Sequence, residues 1–443
     1  MSFHFKRILR SQIAGGAKRL LWSAAVCLAL IEPKQIQNFF PGAHWLYPEE
    51  MVLAILTLMF LVSRKRSPRL PVITVGIYLT FVAFVACYLL TSVINAAITP
   101  STDPSLMVAG VGRVALQYAI GPPLLLGALQ WAYADAPMEA AQSFLIPLAF
   151  EAAILAGGLL LVAFRSTGAV ATVIDHEMLV QSWIIVGGKA LFLPKWGGTF
   201  AETQELGLFV FLSYLLADLH SFHASGGRAQ GLPRAKDIVF MAFALLSGSK
   251  GVALGLIVYR LFRRRRYLSV KLLVAGFCIA ALIYFSVHRI LSDSSAFLAS
   301  AFRYNSVDER LFHLKYGLQH ALESPIHLFV GFGARQYGVL LNHDLPAYFP
   351  PTTTPVSLLA VLVDSGILGF LCYMGMQAAI WEAAGEYRER LVLVAAFVAN
   401  LWMPDWSMNI YVFFLITLVF VIGTKQRGIR PLTVTRETVG SGT

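Results

Sequence analysis

Apolar runs long enough to form helices recur along the whole 443-residue chain, separated by short polar stretches that hold most of the charge. They do not alternate apolar with polar positions, as the strands of a lipid-facing barrel do. Backbone groups in hydrocarbon are satisfied within a helix, so each continuous run predicts a transmembrane helix. The pattern predicts an all-α polytopic membrane protein of about twelve spans, near 17–32, 50–63, 71–98, 107–133, 141–164, 205–220, 237–248, 250–262, 270–289, 355–380, 391–403 and 407–423. Two connecting segments are too long to be simple turns, 165–203 and 290–354, the second between the ninth and tenth helices. Within the first, Met178 to Leu193 is apolar enough to lie on or dip into a membrane. Within the second, Leu311, Leu314, Leu318 and Leu322 recur at three and four, which predicts an amphipathic helix over Val307 to Leu322. It ends near Ser324-Pro325 and is followed by a tight turn at Gly331-Phe332-Gly333.

Composition agrees: 57% of residues are hydrophobic, 13% are charged, and the mean hydropathy is +0.67. A soluble domain carries about 25% charged residues, so a soluble enzyme is excluded. The net charge of +11 sits in short clusters between apolar runs and forms no face that tracks a phosphate backbone, which argues against nucleic acid. With the N-terminus inside, 24 of the 35 Lys and Arg fall on inner segments and nine on outer ones, while Arg113 and Lys250 lie within spans. That bias places both termini, including the tail 424–443, in the cytoplasm, and both long segments outside. The basic start and first apolar run lead into Pro33-Lys34 without a small-residue cleavage site, so that run reads as a retained helix.

The stretch 237–262 tests the scheme. It is flanked by Arg234 and Lys236 on one side and by Arg260 and Arg263 to Arg266 on the other. One crossing would leave a basic cluster outside; a hairpin of two short helices, turning at Ser247-Gly248-Ser249, keeps both inside. The four cysteines lie inside apolar runs without metal-ligand spacing and read as small core or lipid-facing residues; no cofactor is expected.

Candidate chemistry concentrates in 290–354, which carries Arg303, Asp308, Glu309, Arg310, His313, Lys315, Arg335 and His343. Outward arginines run against the positive-inside trend, and a guanidinium fork matches phosphate oxygens. The plain alternative is a solvated helix face with Glu309 paired locally. Within spans, Arg113, Glu151, Glu205 and Lys250 each need a polar cavity or a partner. An Arg113–Glu151 ion pair, or Glu205 and Lys250 reaching to the interface, would meet that need without any function.

Four segments resemble the O-antigen ligase and O-antigen polymerase superfamily. Gly198-Thr199-Phe200-Ala201-Glu202 through Leu206-Gly207 is similar to the opening of the family's mid-chain helix. Leu246-Ser247-Gly248-Ser249-Lys250-Gly251 resembles its Ser-Arg-Gly turn, with lysine for arginine. Glu309-Arg310 through Ser324-Pro325 and Gly331-Phe332-Gly333 resembles its outer-loop arginine and Gly-x-Gly. Asp364-Ser365-Gly366-Ile367-Leu368-Gly369, closing the run from Leu358, resembles its Glu-x-Gly-x-x-Gly.

The resemblance implies an inverting, metal-independent glycosyltransferase of the bacterial inner membrane. Its donor would be an undecaprenyl-pyrophosphate-linked oligosaccharide met at the periplasmic face, with a flippase and a chain-length regulator as partners. Arg310, Lys250, Arg303 and Arg335 would neutralise the pyrophosphate, Glu202 would help bind substrate, and His313, His343 or an acidic group would assist deprotonation. Where the family's ligases carry a His-Asn pair, this chain has Pro355-Val356, which favours polymerase over ligase. A secondary transporter, suggested by intramembrane charge and the Gly121-Pro122-Pro123 break, and a non-catalytic membrane scaffold remain as rival classes.

Overall fold

The computed structural model describes residues 16–24, 26–27, 72–98, 103–133, 136–163, 179–186, 189–196, 203–226, 235–247, 249–263, 306–344, 357–401, 403 and 408–429. These residues are helical almost throughout. After α1 (16–24) come α2 (Val72–Ile98), α3 (Pro104–Ala115), α4 (Gly121–Ala132), α5 (Leu145–Ala163), α6 (Thr203–Ala224), α7 (Ala235–Leu246) and α8 (Lys250–Phe262). The 290–354 segment contributes α9 (Ser306–Glu323), α10 (Pro325–Val330) and α11 (Gln336–Asp344). The chain closes with α12 (Ser357–Ala383), α13 (Tyr387–Asn400) and α14 (Met408–Ile429). The amphipathic helix expected from Val307 to Leu322 is α9. The expected spans 50–63 and 270–289 lie outside the described residues.

Two local features depart from the sequence reading. Within the apolar stretch expected to lie on or dip into the membrane, Leu179–Val186 pairs antiparallel with Lys189–Trp196 as the hairpin β1–β2, which the sequence reading did not foresee. The Gly121-Pro122-Pro123 step does not break the chain into separate helices. A π-turn, Leu116–Ile120, passes directly into α4, and the Gly121 amide bonds back to the Leu116 carbonyl. Pro122 and Pro123 have no N–H to continue the ladder and crowd the preceding turn, and the wider π-turn is where the continuous helix accommodates them.

Among the described residues, three helices are long and apolar enough to cross a bilayer, Thr74–Ile98, Glu205–Ala224 and Leu358–Ala383, and they mark the chain as membrane-associated. The outer face of α2 shows why: Val75, Leu79, Leu90 and Val93 are all exposed, as a lipid-facing stripe requires. The opposite face buries Phe81, Phe84, Tyr88, Thr91, Ser92 and Asn95, and packs along α12. The main core is rich in aromatic side chains, with Phe84 set edge-on against both Tyr118 and Tyr373. A smaller cluster of Ala321, Phe332, Tyr337, Leu341, Leu359 and Val363 docks α9 and α11 onto the first half of α12.

The hairpin expected at 237–262 is present. Arg263 Nη1, just past the end of α8, lies 3.5 Å from Asp237 Oδ2 at the start of α7, so both flanks emerge at one end of the bundle. Arg263 Nη2 also reaches Asp218 Oδ1 of α6 at 2.6 Å, and Asp218 Oδ2 accepts from Arg388 and from the Tyr259 hydroxyl. Arg388 Nη1 and Tyr387 Oη bond the Arg263 and Phe262 carbonyls at 3.2 and 2.6 Å, satisfying groups a helix C-terminus leaves open. One buried carboxylate thus ties α6, α8 and α13 together.

Candidate functional site

The site lies near the opposite end of α12, where that helix is interrupted. Gly366 has φ 64° and ψ −166° within an otherwise helical segment. Gly331, in the turn after α10, has φ 73° and ψ −159°. The two glycines meet where two backbones cross: a Cβ on Gly366 would lie 2.4 Å from the Phe329 carbonyl group, and one on Gly331 would lie 2.5 Å from that of Asp364. The crossing is sealed by Phe332 N–H donating to Val363 O at 2.8 Å and Gly333 N–H donating to Asp364 O at 2.9 Å. These bonds recover carbonyls that the interrupted helix cannot satisfy itself. Two of the four sequence segments singled out above therefore form one structural joint. The other two also meet, since Gly207 faces Ser247 so closely that a Cβ there would stand 2.0 Å from the Ser247 hydroxyl.

The turn is fastened to its surroundings by side chains from α2 and α3. Asn95 Nδ2 donates to Val330 O at 2.9 Å, and the Ala334 amide donates to Ser92 Oγ at 3.2 Å. Gln336 exchanges two bonds with the Asp103 backbone, accepting from N–H at 2.9 Å and donating to C=O at 3.1 Å. Asp103 in turn caps α3, accepting from the Ser105 and Leu106 amides. Its carboxyl is held below the usual aspartate range, chiefly by the Ser105 side-chain bond and next by the Leu106 amide.

Asp364 accepts the Tyr88 hydroxyl at 2.6 Å and the Arg335 amide at 3.1 Å, both on Oδ2. Arg335 itself has φ 58°, the only non-glycine residue at positive φ among those described. An L residue in that region costs on the order of 1–3 kcal/mol and persists only where its surroundings impose it. Here the bond to Asp364 and the fastening of Ala334 and Gln336 on either side impose it. The result is that the Arg335 side chain turns into a cleft that it shares with Tyr88, Arg113, Gln117, Tyr118 and Asp364. Among the described residues, two guanidiniums and one carboxylate line the cleft. A guanidinium fork matches the paired oxygens of a phosphate, which is the chemistry such residues can offer.

Of the expected residues whose side chains are described, Arg335 alone lines this cleft. His313 is buried in the smaller cluster with Nδ1 2.7 Å from the Tyr337 hydroxyl, and so helps hold α9 on α11. His343 is 82% exposed and its Nδ1 lies 3.0 Å from Asp344 Oδ1, away from the cleft. Neither lines the cleft. Arg310 lies in α9 and Lys250 opens α8 behind the Ser249 cap, but their side chains are outside the described residues, as are Arg303 and Glu202 altogether. The sequence reading flagged Arg113 as a charge within a span and quoted Asp364 as part of a motif, without joining them. It missed Tyr88 and Gln117, whose only signal was a polar group on the buried face of a predicted helix.

Compared with protein-family models, the chain matches none. No curated protein matches it either.

Proposed function

We propose that the chain is a membrane polysaccharide polymerase, joining lipid-pyrophosphate-linked oligosaccharide repeat units into O-antigen or exopolysaccharide. In this reading it crosses the bacterial inner membrane about twelve times with both termini cytoplasmic, and 290–354 is its large periplasmic loop. The observation that carries the reading is the paired Arg113 and Arg335 at the break in α12.

The donor is an undecaprenyl-pyrophosphate-linked oligosaccharide, whose pyrophosphate is both handle and leaving group. The acceptor hydroxyl attacks the anomeric carbon from the opposite face, the bond to the pyrophosphate oxygen breaks with its electron pair, and the configuration inverts. The two guanidiniums stabilise the charge that collects on the departing oxygen, without a metal ion. Asp364 is the carboxylate the cleft offers to the acceptor proton, in place of the family's histidine. A flippase would supply the donor and a chain-length regulator would limit the product.

The interrupted helix α12 also favours a second reading, a secondary transporter, since such folds place substrate at broken helices. Deletion of the gene followed by gel profiling of surface polysaccharide separates the readings. Loss of long chains with single repeat units retained supports the polymerase; a chain that reaches full length but is not attached to lipid A core points to ligase. An unaltered profile contradicts both glycosyltransferase readings and leaves transport.

A further inference from the structure

A second polar cluster lies at the other end of the bundle and has no part in the proposed chemistry. It joins the last turn of α6 to the first turn of α13 through His223, Glu386 and Glu389. One ligand atom from each residue lies within 4.8 Å of the others. His223 Nε2 stands 3.4 Å from Glu389 Oε1, and His223 Nδ1 stands 3.8 Å from Glu386 Oε2.

Those separations are informative. An imidazolium donating to a carboxylate closes to about 2.8 Å, because both groups are charged. Two ligands held about 2.1 Å from one metal ion in tetrahedral geometry stand about 3.4 Å apart. The His223 Nε2–Glu389 separation matches the second value. One ion takes one ring nitrogen, so Nε2 and Glu389 form the core of the set, and Glu386, which meets the ring on its Nδ1 side, reaches the same ion by turning its half-exposed carboxylate. His223 Nε2 is also buried and makes no hydrogen bond among the described residues, with Glu389 Oε1 standing 3.4 Å away.

We propose that His223, Glu386 and Glu389 form a binding site for a first-row divalent cation of the zinc type. Two carboxylates balance the dication's charge, and the imidazole selects a borderline metal over magnesium or calcium, which take oxygen ligands. Glu389 is 1% exposed and anchored by the Glu386 amide, which donates to its Oε2 at 3.1 Å and leaves Oε1 turned to His223. Glu386 is 40% exposed, so the open coordination positions face solvent and an ion has a way in. Competition from the adjacent Arg388 is limited, because its two terminal nitrogens are committed to Asp218 and the Arg263 carbonyl. A bound ion would fix α13 to α6 beside the Asp218 clamp, independently of what the cleft does.

The test uses tag-free full-length protein in detergent, treated with chelator and then dialysed against Co²⁺ or Zn²⁺. The expected result is one Co²⁺ per chain, with the visible bands of nitrogen- and oxygen-ligated cobalt, displaced by Zn²⁺. Zn²⁺ also raises the unfolding midpoint, since it binds only the folded chain. His223→Ala and Glu386→Gln should each weaken binding by more than roughly tenfold, the low end of what even outer-shell changes cost. Glu386 is partly exposed, so its replacement tests the site without endangering the fold. Glu323→Gln, beside His320 in the other half of the molecule, should leave binding unchanged. Absence of a stoichiometric ion, retention of wild-type affinity in both site variants, or loss of binding in Glu323→Gln would each overturn the proposal.

Discussion

A methyl group at Gly366 would press on the Phe329 carbonyl from 2.4 Å, at a φ of 64° that already disfavours any side chain. Gly366→Ala is therefore expected to destabilise the protein by more than about 2 kcal/mol, combining overpacking with backbone strain. A thermal or denaturant melt in detergent checks this, and an unchanged midpoint would mean the two backbones do not cross there. His327 allows a different test beside the same joint. It stacks on Phe332 with ring centroids 4.4 Å apart, and burial holds its pKa below the usual histidine value of 6.5. Because the folded pKa lies below the unfolded one, the stability it contributes is complete above pH 6.5 and is lost as pH falls from there through the folded value. Melts across that interval should show a decline in the native protein that flattens in His327→Phe. Arg113, Arg335 and Asp364 of the cleft were visible one at a time in the sequence. Their convergence was not, because Tyr88 and Asp364 are 276 positions apart and meet only through the break at Gly366. The turned backbone of Arg335 leaves no mark on a hydropathy pattern at all.

Among the elements, long helices were the most legible, because continuous apolarity over a membrane's thickness has few other solutions. The α7–α8 hairpin was legible from charge alone, since only a hairpin keeps two basic clusters on one side. The β1–β2 hairpin was not foreseen, although the pairing of Val186 with Lys189 around Gly187-Gly188 is a two-residue turn signal that average apolarity concealed. The clamp at Asp218 rests on α6, α8 and α13 together and gives the hairpin an energetic test. Asp218→Asn leaves Arg263 and Arg388 without their shared charge, and should cost on the order of 3–5 kcal/mol. A loss below about 1 kcal/mol, measured by denaturant unfolding, would show that the clamp is not formed. Reporter fusions after Gly227 and Arg265 should score on one side of the membrane, and fusions at Asp103 and Asn342 on the other. A split between Gly227 and Arg265 would contradict the hairpin.

Taken whole, the molecule separates two polar centres along α12. From Asp364 to the helix end at Ala383 the rise is about 30 Å at 1.5 Å per residue, comparable to a bilayer's apolar core. One end is closed by a fully paired carboxylate, as a structural anchor should be. The other holds two arginines about a cleft, with backbone strain maintained at one of them. The most direct test of that contrast is transfer by the purified protein, per folded molecule, from an undecaprenyl-pyrophosphate-linked oligosaccharide. Wild-type protein should extend the glycan, and Arg113→Ala and Arg335→Ala should each lose about 100-fold in rate, the usual scale for removing one donor to a developing oxyanion. The double variant should lose less than the two effects combined, because both side chains act on one pyrophosphate. Undiminished transfer in both single variants, or a wild-type protein that leaves the donor unextended, would contradict the assignment of this cleft to glycan polymerisation.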